Sequence, residues 1–138
     1  MEDIRFDTKI AVVLRDDLLP WRELNVTAFL ASGIASDTSL HGEDYADADG
    51  NRYLPLFRQP VVVMTADAET ITRAHAKVVG RGLPLAVYTR DMFSTGHDAA
   101  NRAAVAAVPA DALDLVGIAV HGPKNAVDKS LKGATLHA

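Results

Sequence analysis

Residues 90–98, RDMFSTGHD, crowd Asp91, Thr95, His97 and Asp98 into one short segment behind an apolar run. A histidine beside a carboxylate can accept and return a proton near neutral pH, because an unperturbed imidazole titrates at about 6.5. Asp91 and His97 are therefore the candidate catalytic pair, with Thr95 a neighbouring ligand-binding hydroxyl. The same residues also have plainer uses: Asp98 as a helix cap, His97 in solvent, Asp91 paired with Arg90 or turning the chain. Ser94-Thr95-Gly96 lacks the flanking glycines of a nucleophile elbow, so no activated serine is expected.

A second candidate is His121-Gly122-Pro123-Lys124, where a strand meets a helix start. Free N–H groups and the helix dipole can hold an anion there, and Lys124 adds charge. Without a multi-glycine phosphate loop, such a helix start can equally hold water alone. The other histidines point elsewhere: His75 falls on an apolar helix face, His41 and His137 in polar or terminal segments. No HxxxH or HxH spacing occurs, so no metal site is expected. The DADGN stretch fails as a calcium loop, because counting from Gly50 puts Tyr45 at the first ligand position and Leu56 where a bidentate glutamate is needed.

The elements that must position these groups follow from pattern. Residues 9–15, KIAVVLR, form an aliphatic, β-branched run expected of a central strand covered on both faces. Pro20 suits a helix start, and a helix over residues 21–32 should end at Gly33. Beyond Arg22 and Glu23 this helix carries no charge, and Leu24, Thr27, Ala28 and Ala31 give it a narrow small-residue face with Asn25 beside it. Trp21 can stack on a ligand or pack at an edge or a dimer contact. Asp49-Gly50 marks a hairpin between Tyr45 and Tyr53. Residues 60–65, 83–89 and 113–120 read as further strands. Between them lie a helix to Val79, capped by Thr65 or Asp67 and ended by Gly80 and Gly82, and an alanine-rich helix capped by Asp98. A closing helix runs from Pro123 to Gly133, with Lys124, Asp128 and Lys132 along one side. Strand, helix and strand over residues 60–89 make a crossover unit with parallel strands.

Length and composition bound the rest. At 138 residues, 49% hydrophobic and 23% charged, the chain suits one globular domain spanning 1–138. It has no cysteine, which excludes disulfides, thiolate sites and a cysteine nucleophile and fits a reducing cytoplasm. The N-terminus lacks the pattern of a secretory signal, and no apolar run approaches the ~20 residues of a membrane span. Fourteen basic against eighteen acidic residues give a net charge of −4, spread along the chain, so nucleic acid is not an expected partner. No cofactor motif is present, and no cofactor is expected.

Three stretches in order, KIAVVLRDDL, GLPLAVYTRD and GIAVHGPKNAVDKSLKG, resemble the type II peptidyl-tRNA hydrolase fold. The resemblance implies a homodimer and a pocket near Asn25, Asp91 and His121. Its catalytic residues carry over poorly. The family's helix lysine falls on Leu24 or Asn25, its glutamine on Ala28 or Phe29, and a threonine on Gly117, which has no hydroxyl. Only Asp91 stays in register, with Thr95 matching a following threonine. The chain is thus similar to an uncharacterised bacterial branch of that fold, grouped as a domain of unknown function.

The expected architecture is α/β in three layers: a mixed four-stranded sheet, peptidyl-tRNA hydrolase II-like, helices on both faces, and a small hairpin insertion. Two functions follow. One is a small-molecule binding or regulatory protein using Asn25, Thr95, His121 and Lys124. The other is a divergent ester or amide hydrolase in which Asp91, with His97, activates water. The missing lysine and threonine favour binding.

Overall fold

The computed structural model describes residues 4–138. Strand β1 (Thr8–Arg15) lies at the centre of the sheet, with Ile10 to Leu14 at most 1% exposed. Its alternate side chains feed two separate cores. Ala11 and Val13 join one face, and Ile10, Val12 and Leu14 the other.

Helix α1 (Pro20–Ile34) covers the second face through Val26, Leu30 and Ile34, each contributing about 1.5–3 kcal/mol on burial. It runs through Gly33 instead of stopping there. Gly33 serves close approach: a Cβ at this position would lie 3.0 Å from the Ala86 Cβ. A hairpin of β2 (Tyr45–Ala46) and β3 (Arg52–Tyr53) follows, pairing Tyr45 with Tyr53 as the Asp-Gly turn predicts.

Strand β4 (Val61–Ala66) lies parallel to β1. Asp67 then caps α2 (Ala68–Arg81), accepting from the Thr70 amide at 2.8 Å, and Gly82 ends the helix at φ 66°. Gly80, expected as a stop, lies inside it. Next come β5 (Leu85–Thr89), α3 (Asp98–Ala106), β6 (Leu115–Pro123), α4 (Lys124–Ser130) and β7 (Thr135–Leu136). Helices α2 and α4 cover the face opposite α1 through Ile71, Ala74, Val78 and Val127.

The sheet is mixed and has five strands, in the order β5-β6-β1-β4-β7. This corrects the expected four: β7 pairs antiparallel with β4 and is held by His137 N–H donating to the Val63 carbonyl at 3.0 Å. Two residues, with Leu136 exposed, are too short to show a period. Strand β6 is antiparallel to both β1 and β5, so β5 points the same way as β1 and β4. The β4–α2–β5 passage is therefore the expected parallel crossover, but it steps over β1 and β6. Among the described residues, no helix is long and apolar enough to cross a membrane.

Candidate functional site

A cavity of about 1120 Å³ forms a groove along β5, walled by α1, the loop after β5, and α3. Strand β5 ends the sheet, so no sixth strand fills the space beside it. The lining is mostly apolar: Trp21 and Phe29 from α1, Tyr88 from β5, Met92 and Phe93 from the loop, and Val105 from α3. Large apolar clefts with a few convergent polar groups are the usual form of a small-ligand site.

An aromatic chain crosses the groove. Tyr88, buried, stands edge-on to Phe29 at 5.8 Å and packs against Phe93 at 5.3 Å. Burial raises the Tyr88 pKa, so its hydroxyl stays protonated at neutral pH. The Arg22 guanidinium lies 4.5 Å from the Phe93 ring centre and 5.3 Å from that of Trp21. Stacking of this kind suits arginine. Its Nε is buried without a hydrogen-bond partner. The sequence presents Arg22 only as half of a charge pair at a helix start. The signal that could have found it is its spacing: four residues before Val26, it shares the sheet-facing side of α1.

The structure brings Asn25, Thr95 and His97 to this groove, together with Asp98 and Asn101. It leaves out Asp91, His121 and Lys124. Asp91 sits in the turn after β5, exposed and making no side-chain hydrogen bond among the described residues. It does not pair with Arg90. That arginine meets Asp114 at 3.3 Å and Asp17 at 3.7 Å, while Arg15 meets Asp114 at 2.8 Å and Asp17 at 3.2 Å. The carboxyl end of the parallel strands, where open α/β sheets usually bind ligands, thus carries a ring of ion pairs. Arg15 holds the Asp17 carboxyl below its ordinary pKa, chiefly by hydrogen bonding.

Several of the groove's polar groups already have partners. His97, not Asp98, is the N-cap of α3: its Nδ1 accepts from the Ala100 amide at 3.2 Å. With Nδ1 accepting from the backbone, Nε2 is the ring nitrogen left to meet a ligand. Asp98 instead pairs with Arg102 one turn on. The Thr95 hydroxyl donates to the Met92 carbonyl at 2.9 Å and touches the Asn101 side chain. Its single proton is shared between the Met92 carbonyl and the Asn101 Oδ1.

His121 lies within β6, which runs further than the sequence pattern suggests. It pairs with Ile10 and alternates with Gly117 and Ala119 on the α1 side, its Nε2 buried without a partner. Lys124 lines a separate cavity of about 270 Å³ with Lys9, Thr8 and Gln59. The Lys124 N–H donates to the Asp7 carbonyl at 3.0 Å, so this helix start is already occupied. Asp128 pairs with Lys9 at 2.7 Å. His75 is buried on α2 as expected, and burial lowers its pKa. Among the described residues, no group of three or more His, Asp or Glu is arranged to hold a metal ion.

Gly117, the position of the missing threonine, faces α1. A Cβ there would stand 2.8 Å from Val26 Cγ1 and 3.0 Å from Leu30 Cδ1. The close seat of α1 therefore favours glycine, because any added side chain would force Val26 and Leu30 to shift.

Comparison with known proteins gives the family. Residues 8–138 match a family model described as a protein of unknown function, DUF2000. The chain belongs to the DUF2000 family. Among solved structures, the chain is similar to a protein of unknown function, Atu0240, from Agrobacterium tumefaciens strain C58. It shares 48% identity and a TM-score of 0.94, over 97% of this chain and 100% of that one. No curated protein matches the chain.

Proposed function

We propose that the protein binds a small amphipathic molecule, with an apolar body and an anionic head, in the groove beside β5, and does not turn it over. The observation that carries this reading is the commitment of His97 Nδ1 to the α3 cap, with Asp91 outside the groove. No free base then faces a bound carbonyl. Arg22, stacked on the groove residue Phe93, places a cation at the groove's edge and offers charge without a base.

The aromatic and aliphatic lining suits the apolar body, and Asn25 and Asn101 offer orienting hydrogen bonds. The alternative, a divergent ester or amide hydrolase using Asp91, would need that exposed side chain to swing toward the groove. We further propose that the fold is a variant of the type II peptidyl-tRNA hydrolase arrangement. Support comes from GLPLAVYTRD leading into β5 and the turn after it, and from GIAVHGPKNAVDKSLKG over β6 and α4. One domain, located in the cytoplasm, completes the proposal, the latter from the cysteine-free sequence.

The test is titration with anilinonaphthalene sulfonate, an aromatic anion of suitable chemistry. Trp21 is the only tryptophan and lines the groove, so energy transfer from it reports occupancy. Saturable binding to the folded protein is expected, weakened about tenfold or more by Val105→Glu and unchanged by Asp91→Asn. Binding indifferent to Val105→Glu would place the probe elsewhere and overturn the reading.

A further inference from the structure

Two apolar surfaces of this chain face solvent. The first is the outer side of α1. Trp21, Leu24 and Phe29 are each more than half exposed, with Ala28 and Ser32 between them. From Glu23 to Asp37 there is no charged residue. A helix lying on a sheet ordinarily turns charged side chains to water; over this span α1 turns none.

The second surface is the arm of residues 41–58 that carries the β2–β3 hairpin. Its base is pinned by Gly42 N–H to the Leu56 carbonyl at 2.9 Å and Arg58 N–H to the Leu40 carbonyl at 3.0 Å. Asp47 orders its tip, accepting from the Asp49 and Asn51 amides, the Asn51 side chain and the Tyr53 hydroxyl. Yet Tyr45, Tyr53, Leu54 and Leu56 are each more than half exposed and join neither core. The arm is well bonded internally, and of its large apolar side chains Phe57 alone packs against a core.

We infer that two copies exchange arms, each laying its arm across α1 of the other and closing the outer side of the groove. A second copy is the occupant because both surfaces belong to one chain, and a twofold axis covers both at once. The seven side chains expose roughly 700 Å² per subunit, close to the ~800 Å² per partner of a standard interface. Charge agrees. Between residues 43 and 53 the arm has Glu43, Asp44, Asp47 and Asp49 against Arg52 alone, whereas Arg22 has no carboxylate partner among the described residues. The exchange requires no particular ligand, so it stands or falls separately from the probe titration.

The test is sedimentation of the full chain over a concentration series, with Leu24→Glu on α1 and Leu54→Glu on the arm. Both positions are highly exposed, and circular dichroism and thermal melting confirm that each variant folds. The wild-type chain is expected at twice the chain mass, and each variant should weaken association about 30-fold or more. Mixing the two variants should restore a dimer, because one intact arm then meets one intact α1 face. A monomeric wild type, a dimer that survives either substitution, or a mixture that stays monomeric would each overturn the proposal.

Discussion

Gly117→Ala tests the claim that a glycine, not a lost hydroxyl, belongs beneath α1. The added methyl would lie 2.8 Å from Val26 Cγ1, 3.0 Å from Leu30 Cδ1 and 3.4 Å from Leu14 Cδ2. All three neighbours are core side chains at most 1% exposed, so they cannot swing away into solvent. Overpacking of this kind costs about 1–3 kcal/mol. Replacing glycine also restricts the unfolded chain, which offsets about 0.4–1 kcal/mol. The expected net loss is therefore about 1–2 kcal/mol, read as a lower urea midpoint at unchanged m. Gly80→Ala is the control. It lies in α2 with nothing within 4 Å of an added Cβ, and should gain roughly 0.5–1 kcal/mol from helix propensity. Val26→Ala in the Gly117→Ala background removes the nearest obstructing atom, so the double substitution should cost less than the sum of the singles by about 1 kcal/mol. A neutral Gly117→Ala, or strict additivity with Val26→Ala, would refute the reasoning.

Two histidines should move stability with pH in opposite senses. Burial lowers the His75 pKa, so the unfolded chain takes up the proton first and stability falls as pH drops through about 6.5; His75→Gln should flatten this acid loss in urea titrations at several pH values. His137 is raised by its hydrogen bonds to the Ala138 carbonyl and to Glu23. Its contribution is present below the unfolded value and lost as pH rises through the raised one, so amide exchange in β7 should quicken on that rise in the wild type and show a weaker pH dependence in Glu23→Gln.

The framework was legible because burial writes itself as pattern. KIAVVLR reads as a doubly covered strand and proved to be the central one, and Asp67 and Gly82 mark the ends of α2 by cap chemistry alone. Gly33 misled because one residue type serves two needs: a helix stop and close helix–sheet contact look alike until Ala86 is seen beneath it. The site was harder. Asp91 and His97 are near in sequence, yet the turn after β5 directs one to solvent and the other to the start of α3. Arg22 and Phe93 are far apart in sequence and meet only because α1 packs across the end of β5. The uncharged run of α1, puzzling for a catalytic helix, suits one that seats closely on the sheet through Gly117 and leaves apolar side chains exposed on its outer side.

The claim that the groove binds without turnover is tested most directly by hydrolysis assays on p-nitrophenyl esters and peptidyl-tRNA, comparing the wild-type chain with Asp91→Asn. The expected result is the same background rate for both proteins. A wild-type rate above background that Asp91→Asn abolishes, with folding unchanged, would contradict it.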